Sequence, residues 1–111
     1  MNIQIFGVKK CFDTGKAERY FKERRIKYQF IDLKIKGLSK GELQSVKAAV
    51  GLNNLINPKS KDYSKLNLDK ITTPAVREEL LLNNPSLYAT PIVRNGKQAT
   101  VGYVPEIWET W

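Results

Sequence analysis

The sequence predicts an α/β fold with a mixed sheet, in which a β-α-β unit and a β-β-α unit flank a helical insertion. Three observations support this fold class. Alternating polar and apolar residues near both ends of the chain indicate strands, helical spacing between them indicates helices, and Asn95-Gly96 indicates an antiparallel hairpin. The length of 111 residues suits one domain spanning residues 1–111, with the insertion at about 39–83.

The first third of the chain predicts a β-α-β unit. Residues 2–6 alternate polar and apolar side chains and end at Gly7, which indicates a strand running into a tight turn. Helical spacing follows over residues 14–25, and residues 27–33 alternate again as a second strand, parallel to the first. The patterned positions are Ala17, Tyr20 and Phe21 on the helix and Tyr28, Phe30 and Asp32 on one face of the second strand.

The middle of the chain predicts several helices. Ser39-Lys40-Gly41-Glu42 is a capping-box sequence, in which Ser39 and Glu42 each satisfy a free amide at a helix start. A short helix is expected after residues 57–61, and Thr73-Pro74 places a cap before a proline at the first helical position. The apolar positions expected to face the core are Leu43, Val46, Ala49, Val50, Tyr63, Leu66, Leu68, Val76, Leu80 and Leu81.

The end of the chain predicts a hairpin and a last helix. Residues 91–94 and 98–103 flank Asn95-Gly96, a dipeptide that favours a two-residue turn between antiparallel strands. Pro105 then opens a short helix. We expect its apolar residues, Ile107, Trp108 and Trp111, to pack on the sheet.

Two residue counts exclude whole classes of chemistry. The chain has no histidine, which excludes Ser-His-Asp triads, Cys-His dyads and His-ligated zinc or haem. Cys11 is the only cysteine, which excludes internal disulfides, two-thiol redox pairs and Cys-only zinc sites. We therefore expect no metal site, and any thiol chemistry must use Cys11.

The net charge of +8 is unevenly distributed. Residues 1–65 carry 15 basic and 6 acidic residues, whereas residues 66–111 carry 4 and 5. Such a surplus is typical of solvated helix faces, and it would also attract an anionic substrate or an acidic protein. No nucleic-acid-binding motif accompanies the charge, so direct nucleic-acid binding is not expected. No signal peptide or long apolar stretch is present, and we expect a cytoplasmic protein without membrane contact.

Cys11 follows the first strand and begins the first helix. Free amides and the helix dipole favour an anion there, and Lys9, Lys10 and Lys16 act in the same direction. We expect its thiol pKa to lie below the ~8.5 of a free cysteine, which would make Cys11 a nucleophile at neutral pH. Thr14 is expected to hydrogen-bond the thiolate or to cap the helix, and the same amides suit an oxyanion. The alternative is a buried, inert thiol.

Thr90-Pro91 predicts a second feature of the site. A proline that opens a strand after the helical region, preceded by a small polar residue, suggests a cis bond that brings backbone beside the thiol. Only ~5% of X-Pro bonds in folded proteins are cis, so the interpretation depends on the combination with Cys11.

Four stretches of the chain together resemble the ArsC and Spx family of the thioredoxin-like superfamily. They are residues 6–11 with 16–17, residues 31–32 with 37–39, residues 57–61, and residues 84–87 with 90–93 and 101–103. They follow the family order over nearly the whole chain. The resemblance implies a thioredoxin-like fold whose helical middle is the family's insertion.

The resemblance also implies a function. In the family's reductases the cysteine at this position attacks arsenate, and glutathione with glutaredoxin resolves the adduct. Cys11 is thus the implied nucleophile of a glutathione-linked reductase acting on arsenate or a mixed disulfide, with Thr14 and Lys10 supporting the thiolate or oxyanion. The implied substrate-binding residues are Lys59, Thr90 and Pro91. Lys59 and Thr90 stand where the family usually has arginine. No bound cofactor is implied, with glutathione as an external thiol.

Two alternatives remain open within the resemblance. One is a Spx-like regulatory protein that binds the RNA polymerase alpha subunit through its basic half. Spx-like regulators have a Cys-x-x-Cys motif, and in this chain Thr14 stands at the place of the second cysteine. An internal disulfide switch is therefore impossible, whereas glutathionylation of Cys11 is possible. The other is a family member without catalytic activity. We expect a monomer.

Overall fold

The computed structural model describes all 111 residues and contains four strands and five helices. They are β1 (Ile3–Gly7), α1 (Phe12–Glu23), β2 (Tyr28–Asp32), α2 (Lys40–Val50), α3 (Lys61–Lys65), α4 (Pro74–Asn83), β3 (Ile92–Asn95), β4 (Gln98–Val101) and α5 (Pro105–Trp108). Single 3₁₀ turns lie at residues 53–55, 68–70 and 85–87. This order confirms the predicted fold class. No helix has the length and apolar character needed to cross a membrane.

The sheet has the strand order β2-β1-β3-β4. β1 pairs with β2 in parallel, whereas the β1–β3 and β3–β4 pairs are antiparallel. The mixed sheet and the antiparallel hairpin are therefore confirmed. The two-residue turn is Gly96-Lys97, one position later than predicted, because Asn95 still belongs to β3 and pairs with Gln98. Because β3 is antiparallel to β1, the start of β3 lies beside the end of β1. This pairing brings residues near 90 to the segment that follows Gly7.

Both faces of the sheet are covered. Ile3 and Ile5 of β1 pack on one side in a cluster with α1 and α5. Phe6 of β1 and Ile31 of β2 pack on the other side, against the helices of the insertion. Successive strand residues point to opposite faces, so a strand covered on both sides buries consecutive residues such as Ile5 and Phe6.

The double cover explains an incomplete prediction for β2. Tyr28 and Phe30 do share a face and pack towards α1, as their alternation indicates. Ile31 and Leu33 are the more deeply buried residues, however, and they contact the insertion on the opposite face. The pattern of polar and apolar residues could not show that a second layer covers this strand.

Some predicted core positions are exposed. Val76 and Ile107 are 42% and 44% exposed, and Ala49 is also at the surface. Leu81 and Trp108 anchor α4 and α5 instead, and the Trp108 indole donates a buried 2.8 Å hydrogen bond to the Thr100 hydroxyl. These helices are short and fully bury only a narrow stripe, so Leu80 and Leu82 are partly buried against the core and Val76 and Ile107 lie in solvent.

Gly7 is required by a close approach between β1 and α1. A Cβ atom at this position would lie 2.6 Å from both Cγ2 and Oγ1 of Thr14, which no real contact tolerates. Only a residue without a side chain lets the first turn of α1 pack against the end of β1. Gly7 thereby fixes the position of the segment that carries Cys11.

Candidate thiol site

Cys11 occupies the N-cap position of α1. The helix begins at Phe12, two residues before the predicted Thr14, and Cys11 has extended backbone angles of φ −80° and ψ 121°. Its amide donates a 3.0 Å hydrogen bond to the Val8 carbonyl, and its side chain makes no capping bond to the helix. The thiol is half-buried. The backbone hydrogen bond therefore fixes Cys11 at the helix start, and its sulfur remains partly accessible.

The Thr90-Pro91 peptide bond is cis, as the sequence indicated. The thiol of Cys11 donates to the Thr90 carbonyl oxygen at an Sγ–O distance of 3.7 Å. The prediction that this segment lies beside the thiol is thus confirmed, although Cys11 and Thr90 are 79 positions apart in the chain. The Thr90 amide N–H donates to no group in the protein, so it is available to an incoming ligand.

Hydrogen bonding lowers the pKa of Cys11 below its ordinary value. Burial acts in the opposite direction and is the largest single influence, but it is outweighed by the side chains of Thr14 and Thr90 and by the backbone amides of Thr14 and Asp13. All of these groups donate to the thiolate, which stabilises the charged form. The exposed lysines are not among the causes, since water screens them. The lowered pKa agrees with the prediction from the helix start.

The Thr14 hydroxyl is buried and has no hydrogen-bond partner while the Cys11 proton is directed at Thr90. It does not cap the helix, which was one of its two expected roles. A thiolate gives this hydroxyl an acceptor. Because a buried unpaired hydroxyl is unfavourable, Thr14 favours ionisation of Cys11.

We predict that Thr14→Val shifts the pH profile of Cys11 alkylation to higher pH. Valine keeps the shape of threonine but removes a donor to the thiolate, so the pKa rises and less thiolate is present at pH 7. The measurement is the iodoacetamide rate constant from pH 5 to 10. Thr14→Ser keeps the donor and should retain the wild-type midpoint. Equal shifts in both variants would show that packing, not the hydroxyl, sets the pKa.

A cavity of about 520 Å³ opens directly onto Cys11. It is lined by Lys9, Lys10, Cys11, Phe12, Gly15, Lys16 and Arg19. Four of these residues are cationic and none is acidic, so the cavity favours an anionic ligand. Lys10, which is predicted to support the thiolate or an oxyanion, lines this cavity beside Cys11. Arg19 was missed, although its spacing of four residues from Gly15 and eight from Cys11 places all three on one helix face.

A second cavity of about 500 Å³ has Thr90 in its lining. Its polar lining includes the side chains of Lys34, Asn57, Asn84 and Ser86. Tyr88 also lines it, and burial raises the pKa of this phenol, with the charge of Glu42 acting in the same direction. Thr90 thus lines this polar cavity, and its carbonyl accepts from the thiol that opens into the cationic one.

The structure does not bring Lys59 into either cavity. Its side chain is exposed, and its amide donates a 3.0 Å hydrogen bond to Asn57 Oδ1, which holds the turn before α3. Pro91 is buried directly before β3, and its cis peptide bond joins it to Thr90, whose carbonyl accepts from the thiol. The guanidinium of Arg94 points elsewhere, donating to Gln4 Oε1 at 2.8 Å and to Ser45 Oγ at 3.2 Å. Arg19 is therefore the arginine that lines the thiol cavity.

This sheet, with helices inserted between β2 and β3 and a thiol after β1, defines a thiol-bearing protein of thioredoxin-like fold. The family follows from the sequence match. Residues 6–111 match the model of the ArsC family, and the chain belongs to this family, as the resemblance indicated.

Proteins similar to this chain include a transcriptional regulator and an arsenate reductase. The chain is 31% identical over 106 residues to the global transcriptional regulator Spx 2 of Oceanobacillus iheyensis, covering 93% of this chain and 78% of the regulator. An arsenate reductase (ArsC) related protein of Brucella melitensis is 27% identical, with a TM-score of 0.71 and coverage of 100% and 94%. The arsenate reductase of Vibrio cholerae, at 23% identity, has a TM-score of 0.85 with coverage of 96% and 94%, which supports the fold alone.

Proposed function

We propose that this protein is a glutathione-linked thiol reductase in which Cys11 is the nucleophile and a mixed disulfide is the substrate. The observation that carries the proposal is the Cys11 sulfur itself. It lies at a helix start with a lowered pKa, 3.7 Å from the Thr90 carbonyl, and it opens into a cationic cavity. These features favour a reactive thiolate at neutral pH without a histidine.

The reaction consists of two thiol–disulfide exchanges. In the first, the Cys11 thiolate attacks the glutathionyl sulfur of the mixed disulfide, an Sγ–S bond to glutathione forms, and the sulfur of the substrate protein leaves as a thiolate with the electron pair. In the second, glutathione attacks the new disulfide and releases Cys11 as a thiolate. The substrate disulfide is reduced and glutathione disulfide is the oxidised product. One protein cysteine is sufficient because the second thiol is external.

The backbone at Thr90 favours a disulfide over arsenate as the substrate. Its free amide lies beside the thiol and is suited to pair with the backbone of a glutathione or peptide partner. Arsenate is better held by several bidentate arginines, whereas the thiol cavity contains one arginine and three lysines. The cationic lining suits the carboxylates of glutathione. The proposal also places the reaction in the cytoplasm, where glutathione keeps thiols reduced.

The proposal predicts turnover of a glutathionylated peptide in the presence of glutathione, with a rate at least about tenfold above that with arsenate. Thiol release is followed through glutathione reductase and NADPH consumption, and arsenite formation is measured in parallel. Faster arsenate reduction would assign the oxyanion as the substrate. No turnover of either substrate, together with stable binding to the RNA polymerase alpha subunit, would favour the Spx-like regulatory function suggested by the Oceanobacillus relative.

A further inference from the structure

A third, smaller cavity continues the thiol cavity along α1. It measures about 160 Å³ and contains Glu23, Arg24 and Tyr103 among its lining residues. Lys16 and Arg19 line both cavities, so the two form one continuous surface. We call this surface the α1 groove and define it by Phe12, Lys16, Arg19, Tyr20, Arg24 and Tyr103.

The charge of the α1 groove is not neutralised within the protein. Lys16, Arg19 and Arg24 line it, and Lys9 and Lys10 lie at its thiol end, whereas Glu23 is its only acidic residue. The single salt bridge of the chain joins Lys47 to Glu78, on the insertion. Five cations beside one carboxylate therefore remain free to attract an anionic ligand.

Aromatic rings hold two of these cations in place. The guanidinium carbon of Arg24 lies 3.7 Å from the centroid of the Tyr20 ring, and the Lys16 ammonium lies 5.6 Å from that of Tyr103. Phe12, beside the thiol, is 88% exposed. Arginine and aromatic side chains dominate the binding energy of protein interfaces, and ordered cations lose less entropy on binding. The groove therefore combines the residue types of a binding surface.

We propose that the α1 groove binds an acidic polypeptide segment of the protein whose disulfide Cys11 reduces. This inference rests on the proposed function and adds the class of substrate. The twelve residues of α1 separate Cys11 from Arg24, and the thirteen steps between them span about 20 Å. Glutathione, with three residues, spans at most roughly 10 Å, whereas about six extended residues of polypeptide fill the groove. A nucleic acid or a membrane would supply negative charge but no sulfur for Cys11.

The test compares two heptapeptides that each carry one cysteine as a disulfide with thionitrobenzoate. One has four glutamates and the other has glutamines at the same positions. The Cys11 thiolate attacks the peptide sulfur, a protein–peptide disulfide forms, and thionitrobenzoate leaves with the electron pair and is measured by absorbance. At low salt we expect the acidic peptide to react about tenfold faster, an advantage that disappears near 1 M salt.

The double variant Arg19→Gln, Arg24→Gln should reduce the ratio of acidic to neutral rate constants about fivefold. The matched control Lys22→Gln, Lys36→Gln removes the same charge outside the groove and should keep the wild-type ratio. If loss of Arg24 prevents folding, Arg19→Gln alone should still lower this ratio. The Arg19 side chain makes no hydrogen bond within the protein, so the single variant breaks none. A ratio near one, or equal losses in both double variants, would overturn the docking proposal.

Binding without chemistry separates this proposal from the proposed function. A fluorescein-labelled acidic peptide should bind Cys11→Ser more tightly than its glutamine counterpart does, as measured by anisotropy. If Cys11 proves unreactive but this preference holds, the reductase function fails and the groove assignment stands. If Cys11 reacts equally with both peptides and the preference is absent, the groove assignment fails alone. A single-stranded oligonucleotide of equal charge that binds more tightly than the peptide would overturn the polypeptide class.

Discussion

Cys11→Ser is expected to abolish reduction of a glutathionylated peptide, with a loss of at least about a thousandfold. Serine fills nearly the same space and can still donate to the Thr90 carbonyl, so the variant should fold normally. Its hydroxyl does not ionise near neutral pH and cannot form a disulfide. Thr14, Thr90 and the helix amides would then surround a group that they cannot activate, because they act by stabilising the thiolate.

The assignment of Cys11 can also be tested by the mass of the intact protein. Wild-type protein treated with glutathionylated peptide in the absence of glutathione should gain the mass of one glutathione, and Cys11→Ser should gain none. Circular dichroism should show the same helix content in both proteins. The chain has no other cysteine, so a turnover above about one-thousandth of the wild-type rate in Cys11→Ser would contradict a thiol mechanism altogether.

Local sequence signals were sufficient for most of the fold. The capping box at Ser39–Glu42 acts over four residues, and the structure contains it. The hairpin indicated by Asn95-Gly96 is also present, with its turn one position later, at Gly96-Lys97. The alternation of β1 likewise depends only on neighbouring residues. The pairing of Cys11 with Thr90 is a long-range contact, and it became predictable only because two weak signals pointed to the same site.

Other features depend on which layers meet and could not be read locally. Lys59 matched a family segment, but the turn before α3 directs it into solvent away from the thiol. Val76 follows the apolar spacing of α4, yet the core reaches only the stripe that contains Leu81. Arg19 carried a signal in its helical spacing, but its role in the cavity depends on the open face of α1. Packing between elements decided each of these positions.

Phe21→Ala is expected to lower the free energy of unfolding by about 3–5 kcal/mol, because it leaves a large cavity in the core beneath α1. Phe21 is 1% exposed, and its ring centroid lies 5.0 Å from that of Tyr20 and 5.2 Å from that of Trp108. The lost contacts join α1 to α5 and to the sheet, so the segment that positions Cys11 would lose its support. Urea unfolding followed by tryptophan fluorescence measures the change.

Phe12→Ala provides the matched control, because the same substitution is made nine residues earlier on the same helix. Its side chain is 88% exposed, so the free energy of unfolding should change by no more than about 0.5 kcal/mol. Its effect should fall instead on the reaction with the acidic peptide, since Phe12 borders the thiol in the α1 groove. Equal destabilisation by the two substitutions would show that Phe12 is covered in solution. Normal stability of both would mean that the cluster beneath α1 does not hold the helix on the sheet.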